Sequence, residues 1–200
     1  MNTGSAPHAV EDWFGASFDQ LSPEIQALHR HGGTLTGRVA LRTGPGLAGM
    51  IGRRLAKRLG LPEACDAAKL TVSIYSDQQG LHWNRQFDDG RTFMSLFKPH
   101  GRFPDGYWSE HSGTLTLQLK VAIQDGGWHW VHTGTKLGRL TIPNWLMPRT
   151  LAHKKMVNGM YAFSVSISIL MVGEVLSYQG QLACQHPSGR AGLQINGGNF

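Results

Sequence analysis

An arginine between aromatic residues at alternate positions is the first arrangement in this 200-residue chain that can do chemistry. It occurs in Leu81-His-Trp-Asn-Arg-Gln-Phe87, where a strand would place Leu81, Trp83, Arg85 and Phe87 on one face. A guanidinium in line with large apolar side chains either lies outside or points inward. An inward one needs a partner, because an unpaired buried charge is too costly. Glu110, in Tyr107-Trp-Ser-Glu-His111, is the leading carboxylate partner and Glu174 the second. Two readings follow: a structural Arg–Glu pair, or an anchor in a pocket for carboxylate or phosphate, a task that the planar fork of arginine suits. Trp83, Arg85, Phe87, Glu110, Arg38 and Tyr178 are the candidate ligand-binding residues.

A second basic group begins at Arg38 and Arg42 and runs through Gly44-Pro-Gly46 into a helix carrying Arg53, Arg54, Lys57 and Arg58. Such a face suits an anionic membrane surface; its structural alternative is a solvated face over an apolar stripe. Gly44-Pro-Gly-Leu-Ala-Gly49 has the glycines of a phosphate loop but lacks the lysine and serine that complete one. Ten histidines raise the question of metal, and His29-Arg-His31 and His129-Trp-Val-His132 have ligand spacing. Neither pair has a nearby Asp, Glu or Cys, so no metal and no cofactor is expected. The motifs of serine hydrolases, zinc peptidases, dithiol oxidoreductases and dinucleotide-binding domains are missing. Glu110 and His111 are neighbours on a strand and point to opposite faces, so they cannot share a substrate atom. Trp128 and Trp130 lack interleaved basic residues, so nucleic acid is not an expected partner.

The elements that must position these residues are mostly strands. Ser22-Pro-Glu opens one helix, with Ser22 as N-cap, and Gly32-Gly33 closes it. A second helix fits 47–59, where Leu47, Ile51, Leu55 and Leu59 recur every fourth residue. Beyond residue 68 the apolar period becomes 2: Leu115, Leu117, Leu119, Val121 and Ile123, then Tyr161, Phe163, Val165, Ile167 and Ile169 with Ser164, Ser166 and Ser168 between them. Strands are expected near 34–43, 69–76, 81–88, 91–97, 107–112, 114–123, 128–136, 152–157, 160–170 and 173–183. The fold class is therefore α+β and mostly β: a strongly curved antiparallel sheet or barrel of about ten short strands with two N-terminal helices. The domain is expected over 14–184, with a flexible segment at 1–13 and a flexible tail at 185–200.

With a formal charge of +6 the chain tolerates acidic partners without demanding nucleic acid. Forty per cent hydrophobic residues and a mean hydropathy of -0.24 exclude a disordered chain. No run approaches the roughly 18–20 apolar residues of a membrane-spanning helix. The start lacks the basic and apolar regions of a secretory signal, and two cysteines allow one bridge at most, so the expected setting is soluble and cytoplasmic.

Read in order, several pieces resemble the bacterial family known as domain of unknown function 4166. They are Phe18-Asp-Gln-Leu-Ser-Pro23 with Leu28-His29; Gly37-Arg-Val-Ala-Leu-Arg42 with Gly44 and Gly46; Leu59-Gly-Leu-Pro62; Trp83-Asn-Arg85-Gln-Phe87; Phe93-Met-Ser95; Glu110; Ile142-Pro-Asn-Trp-Leu-Met-Pro148; Tyr161-Ala-Phe163; and Gly173 with Tyr178-Gln-Gly180. They span about 14–183. The resemblance emphasises Arg85 and Glu110 and implies a domain that occurs alone or attached to a dinucleotide-binding, dehydrogenase-like partner, but supplies no activity. Two positions depart from it: Lys154 or Lys155 stands where an acidic residue is expected, and Leu170 or Met171 where a proline is. The leading expectation is a noncatalytic binding or accessory domain with an apolar pocket for a lipid-like or other hydrophobic ligand. The alternatives are an enzyme or enzyme subunit acting on an acyl or isoprenoid substrate, with Arg85 as anion anchor and Glu110 as acid or base, and a peripheral membrane module using the basic helix.

Overall fold

The computed structural model of the protein describes residues 9–112, 114–143 and 148–185. In chain order it contains α1 (Ala9–Phe14), a 3-10 segment (Gly15–Gln20), α2 (Pro23–His31), β1 (Gly33–Thr43), α3 (Gly46–Arg58), β2 (Cys65–Asp77), β3 (Gly80–Phe87), β4 (Thr92–His100) and β5 (Tyr107–Ser112). There follow β6 (Leu115–Gln124), β7 (Gly127–Leu137), β8 (Leu140–Ile142), β9 (Arg149–Val157), β10 (Met160–Ile169) and β11 (Gly173–Gln185). The strands pair in the order β6-β5-β4-β3-β2-β1-β11-β10-β9-β7, and β6 pairs back onto β7, closing a ten-stranded antiparallel barrel. β8, which the apolar pattern does not reveal, is a short strand paired to the far end of β7.

Alternation decides which side chains fill the barrel. On β6, Leu119 and Val121 are buried, and on β10 so are Tyr161 and Ile167, while Ser164, Ser166 and Ser168 take the opposite face. Tight hairpins hold the register: Asn158 (φ 51°) and Gly159 (φ 75°) join β9 to β10 with the positive φ at both positions that such turns require.

β1 runs from the end of α2 to the start of α3, so the helices occupy opposite ends of the barrel. At one end α1, the 3-10 segment and α2 form a plug. Trp13 and Phe14 pack against Phe103, Trp13 against Trp108, and Phe14 against Trp128, with centroids 5.3–5.8 Å apart. Val10 and Trp13 are buried, so the expectation of a flexible segment fails for residues 9–13. Val10, Trp13 and Phe14 lie three and four apart, which gives even this short helix an apolar face. The expectations for residues 1–8 and 186–200 lie outside the described residues. Ser22 does occupy the N-cap of α2, but its hydroxyl makes no capping bond; its backbone is tied instead to the carbonyl of Gly126, 2.8 Å away.

At the other end α3 packs on β11 and β1. Its seat is not the leucine stripe but Ala48, Gly49, Gly52 and Ala56, and Leu47 is 60% exposed. Small residues permit a backbone approach that leucines would block. Leu55 and Leu59 turn inward toward the lumen. Among the described residues no helix is long and apolar enough to cross a membrane.

Candidate functional site

Between plug and α3 the barrel retains a cavity of about 190 Å³. Its mouth is apolar, formed by Leu55, Leu59 and Leu61 with Phe93, Leu115 and Leu117 from the strand ends near α3. Arg85 and Glu110 stand level with that mouth, Arg85 opposite Phe93 and Glu110 opposite Leu117, whereas Lys154, opposite Trp128, and Tyr161 lie toward the plug; Tyr178 also lines the lumen. The wall is thus mostly apolar, with one polar group at Arg85 and Glu110 nearer α3 and another at Lys154 and Tyr161 nearer the plug.

Arg85 faces inward with Trp83 because β3 alternates, and it is 9% exposed. Its Nη1 donates to Ser95 Oγ at 3.0 Å, and Ser95 Oγ donates to Glu110 Oε1 at 2.6 Å. These three residues stand on the adjacent strands β3, β4 and β5, so the sheet itself sets the relay. The expected direct pairing of Arg85 with Glu110 is therefore replaced by a hydroxyl bridge. The guanidinium also lies over Phe93 at 4.9 Å and Trp83 at 5.5 Å. Glu174, the second carboxylate considered, is elsewhere: it is exposed and accepts from Ser166 and Ser177, which hold its carboxyl below the usual range.

Of the remaining candidates, Tyr178 lines the cavity, and burial pushes its phenol up. Phe87 is buried but is not part of the cavity wall. Arg38 departs from its expected place. It is exposed on the outer face of β1, because Leu35, Val39 and Leu41 take the inward positions. His111 also points away from Glu110, to the outer face, where its ring is 2.9 Å from Ser109 Oγ.

Lys154, which the sequence marked only as a departure from the family pattern, was not among the candidate site residues. It is 5% exposed, and its Nζ stands 4.1, 4.2 and 4.9 Å from the ring centroids of Trp83, Trp128 and Trp130. Among the described residues it has neither hydrogen bond nor carboxylate partner within ion-pair distance. Burial, and then the charge of Arg85, drive its pKa well below the ordinary lysine value, against a smaller opposing pull from Glu110. Three indole faces favour the ammonium, but burial, the largest cause, acts the other way.

Beneath this floor His29 of α2 stacks on Trp128 at 4.6 Å, with both ring nitrogens buried and unbonded. Burial and the nearby Lys154 hold its pKa well below the usual value, so the ring is a neutral packing element. His129 and His153 meet at 3.0 Å on the surface, and the described residues contain no cluster of three metal-ligating side chains. Tyr161 completes the site: its hydroxyl is buried without a partner in the wall of the cavity, and burial raises its pKa.

The cavity is lined from Leu35 to Leu182, and a family model described as a domain of unknown function, DUF4166, matches residues 21–182. The chain belongs to the DUF4166 family. The match spans every strand side chain that lines the lumen, so the barrel and its interior are the DUF4166 domain itself. No curated protein and no solved structure matches the chain. What the DUF4166 barrel does must therefore be argued from its own chemistry.

Proposed function

We propose that this domain is a binding module that holds a lipid-like ligand in its barrel, the polar end at Arg85 and the hydrocarbon along the apolar wall of the lumen. The observation that carries this reading is the unfinished valence of Arg85. Guanidinium has five N–H donors, and among the described residues Arg85 makes one hydrogen bond, to Ser95. Its head borders a cavity walled mostly by apolar side chains. A ligand with an acceptor oxygen at one end satisfies those donors and buries its chain along the wall, the usual division of labour in ligand sites.

Decanoate is a suitable probe, since Trp83 and Trp130 line the cavity and report occupancy by fluorescence. Decanoate is expected to quench the emission saturably, and Arg85→Met to weaken binding by about ten- to a hundredfold, the worth of a hydrogen bond to a charged group. Equal affinity in the variant, with far-ultraviolet circular dichroism unchanged, would remove Arg85 from the site. No saturable quenching in the native protein would remove the reading.

A specific observation favours a membrane as the source of such a ligand. The outward face of α3, above the mouth, exposes Leu47 and Met50 beside Arg53, Arg54, Lys57 and Arg58. Apolar side chains ringed by cations suit the headgroup boundary of an anionic bilayer. Cosedimentation is expected with phosphatidylserine-containing vesicles, falling as salt rises from low to physiological. Equal recovery on phosphatidylcholine vesicles would refute the docking.

A further inference from the structure

We propose that Lys154 captures the carbonyl group of an apolar aldehyde or ketone as a reversible imine, at the floor of the barrel and between three tryptophans. This rests on the lumen reading above and sharpens it by naming the functional group at the ligand's deep end.

Several independent features place a nucleophilic amine here. Lys154 shares its strand face with Ala152 and is buried in the lumen wall, while His153 and Lys155, on the alternate face, are exposed. The Nζ lies 4.1–4.9 Å from three indole centroids and, among the described residues, has no hydrogen-bond donor to engage its lone pair and no acceptor to fix its proton. Burial and the charge of Arg85 both favour the unprotonated amine. The unused donors of Arg85 can hold a carbonyl oxygen, and the unpartnered Tyr161 hydroxyl faces the same cavity. A lysine kept for packing alone needs none of these, and one that serves as an anion clamp is held as an ammonium by its acceptors. Desolvated lysines next to another cation are the ones that make Schiff bases.

The chemistry closes without an oxidant or reductant. The Nζ lone pair forms a bond to the carbonyl carbon, and the C=O π pair moves to oxygen, which takes up the proton that nitrogen sheds. The resulting carbinolamine loses its hydroxyl as water after protonation, and nitrogen gives up its last hydrogen as the C=N bond forms. Aldehyde and amine become imine and water. Glu110, lining the same lumen, can carry the proton between these steps. The tryptophan walls limit water at the imine and so oppose its hydrolysis.

The full chain would be incubated with decanal and cyanoborohydride, then analysed by intact mass and peptide mapping. The expected result is one decyl group per chain, on Lys154, formed at least about tenfold faster than on exposed lysines such as Lys155, because each unit of lowered pKa raises the neutral fraction about tenfold. Lys154→Arg, which has no primary amine, should lose that fast addition with its far-ultraviolet circular dichroism unchanged, and decanol, an unreactive analogue, reports occupancy of the native lumen by tryptophan quenching. Labelling spread evenly over surface lysines, or a fast single addition that persists in Lys154→Arg, would overturn the proposal. If decanol binds the native chain and no fast adduct forms, imine capture fails and the lumen reading stands. If neither decanol nor decanoate binds, both fail.

Discussion

Trp128→Ala is expected to lower the free energy of unfolding by about 3–5 kcal/mol, the range for removing a large buried aromatic. Trp128 is 1% exposed and joins four parts of the molecule at once. Its ring tilts against Phe14 of α1 at 5.3 Å, stacks on His29 of α2 at 4.6 Å, meets Trp130 edge-on at 5.7 Å and lies under Lys154 of β9 at 4.2 Å. Truncation would leave a void between plug and floor, continuous with the cavity, and expose a desolvated amine to water. Domains of this kind hold roughly 5–15 kcal/mol in all, so the loss is a large share of it. Urea unfolding of the variant, compared at constant slope, measures it. A change under about 1 kcal/mol would mean that the plug is not fastened to the barrel through this ring.

Gly52→Val is expected to cost about 3 kcal/mol and to weaken decanoate binding together with stability. A Cβ at Gly52 would come 1.9 Å from the carbonyl oxygen of Val175 and 2.9 Å from its carbon. Both are backbone atoms of β11, so neither can rotate away and the whole of α3 must lift. Overpacking of this sort costs about 1–3 kcal/mol and occasionally more, and the gain in helix propensity over glycine returns only a few tenths. Leu55 rides on the same helix and Leu59 caps its end, so lifting it opens the mouth. Met50→Val on the exposed face is the control, expected within about 0.5 kcal/mol of the native protein. Thermal unfolding and decanoate titration of both variants test this; a Gly52→Val protein as stable and as tight-binding as the control would show that α3 is not seated on β11.

The strands were the most legible part of this chain, because a period of 2 admits one arrangement in which Tyr161 and Ile167 are dry and the serines between them are not. The same period puts Arg85 on the inward face beside Trp83. It says nothing about Ser95, since what lies across a sheet from Arg85 depends on which strands pair and in what register. Helix α3 was misread for a related reason. Leucine spacing locates a helix, but close packing selects its smallest side chains, and Gly52 rather than Leu47 meets the barrel. Helix α1 was missed because its three apolar residues follow a stretch rich in Gly, Ser and Pro. Lys154 was legible in principle: Ala152 and Met156 flank it at period 2 on the less polar face of β9. A lysine at an inward position breaks the pattern, and the break marks a group that the fold keeps at a cost.

Pairing of β1 with β11 runs from Thr34↔Gln185 to Thr43↔Leu176, joining the first strand to the last. Until that seam forms, the chain is an open sheet and the side chains of Arg85 and Lys154 remain hydrated. Their removal from water is thus deferred to the step that closes the largest loop, when Val175, Leu176, Tyr178 and Leu182 of β11 become buried together. Folding order and dehydration are one event in this barrel. The gain from four apolar side chains arrives at the moment when Arg85 and the Lys154 amine lose their solvent, and such long-range closure belongs to the slow end of folding rates.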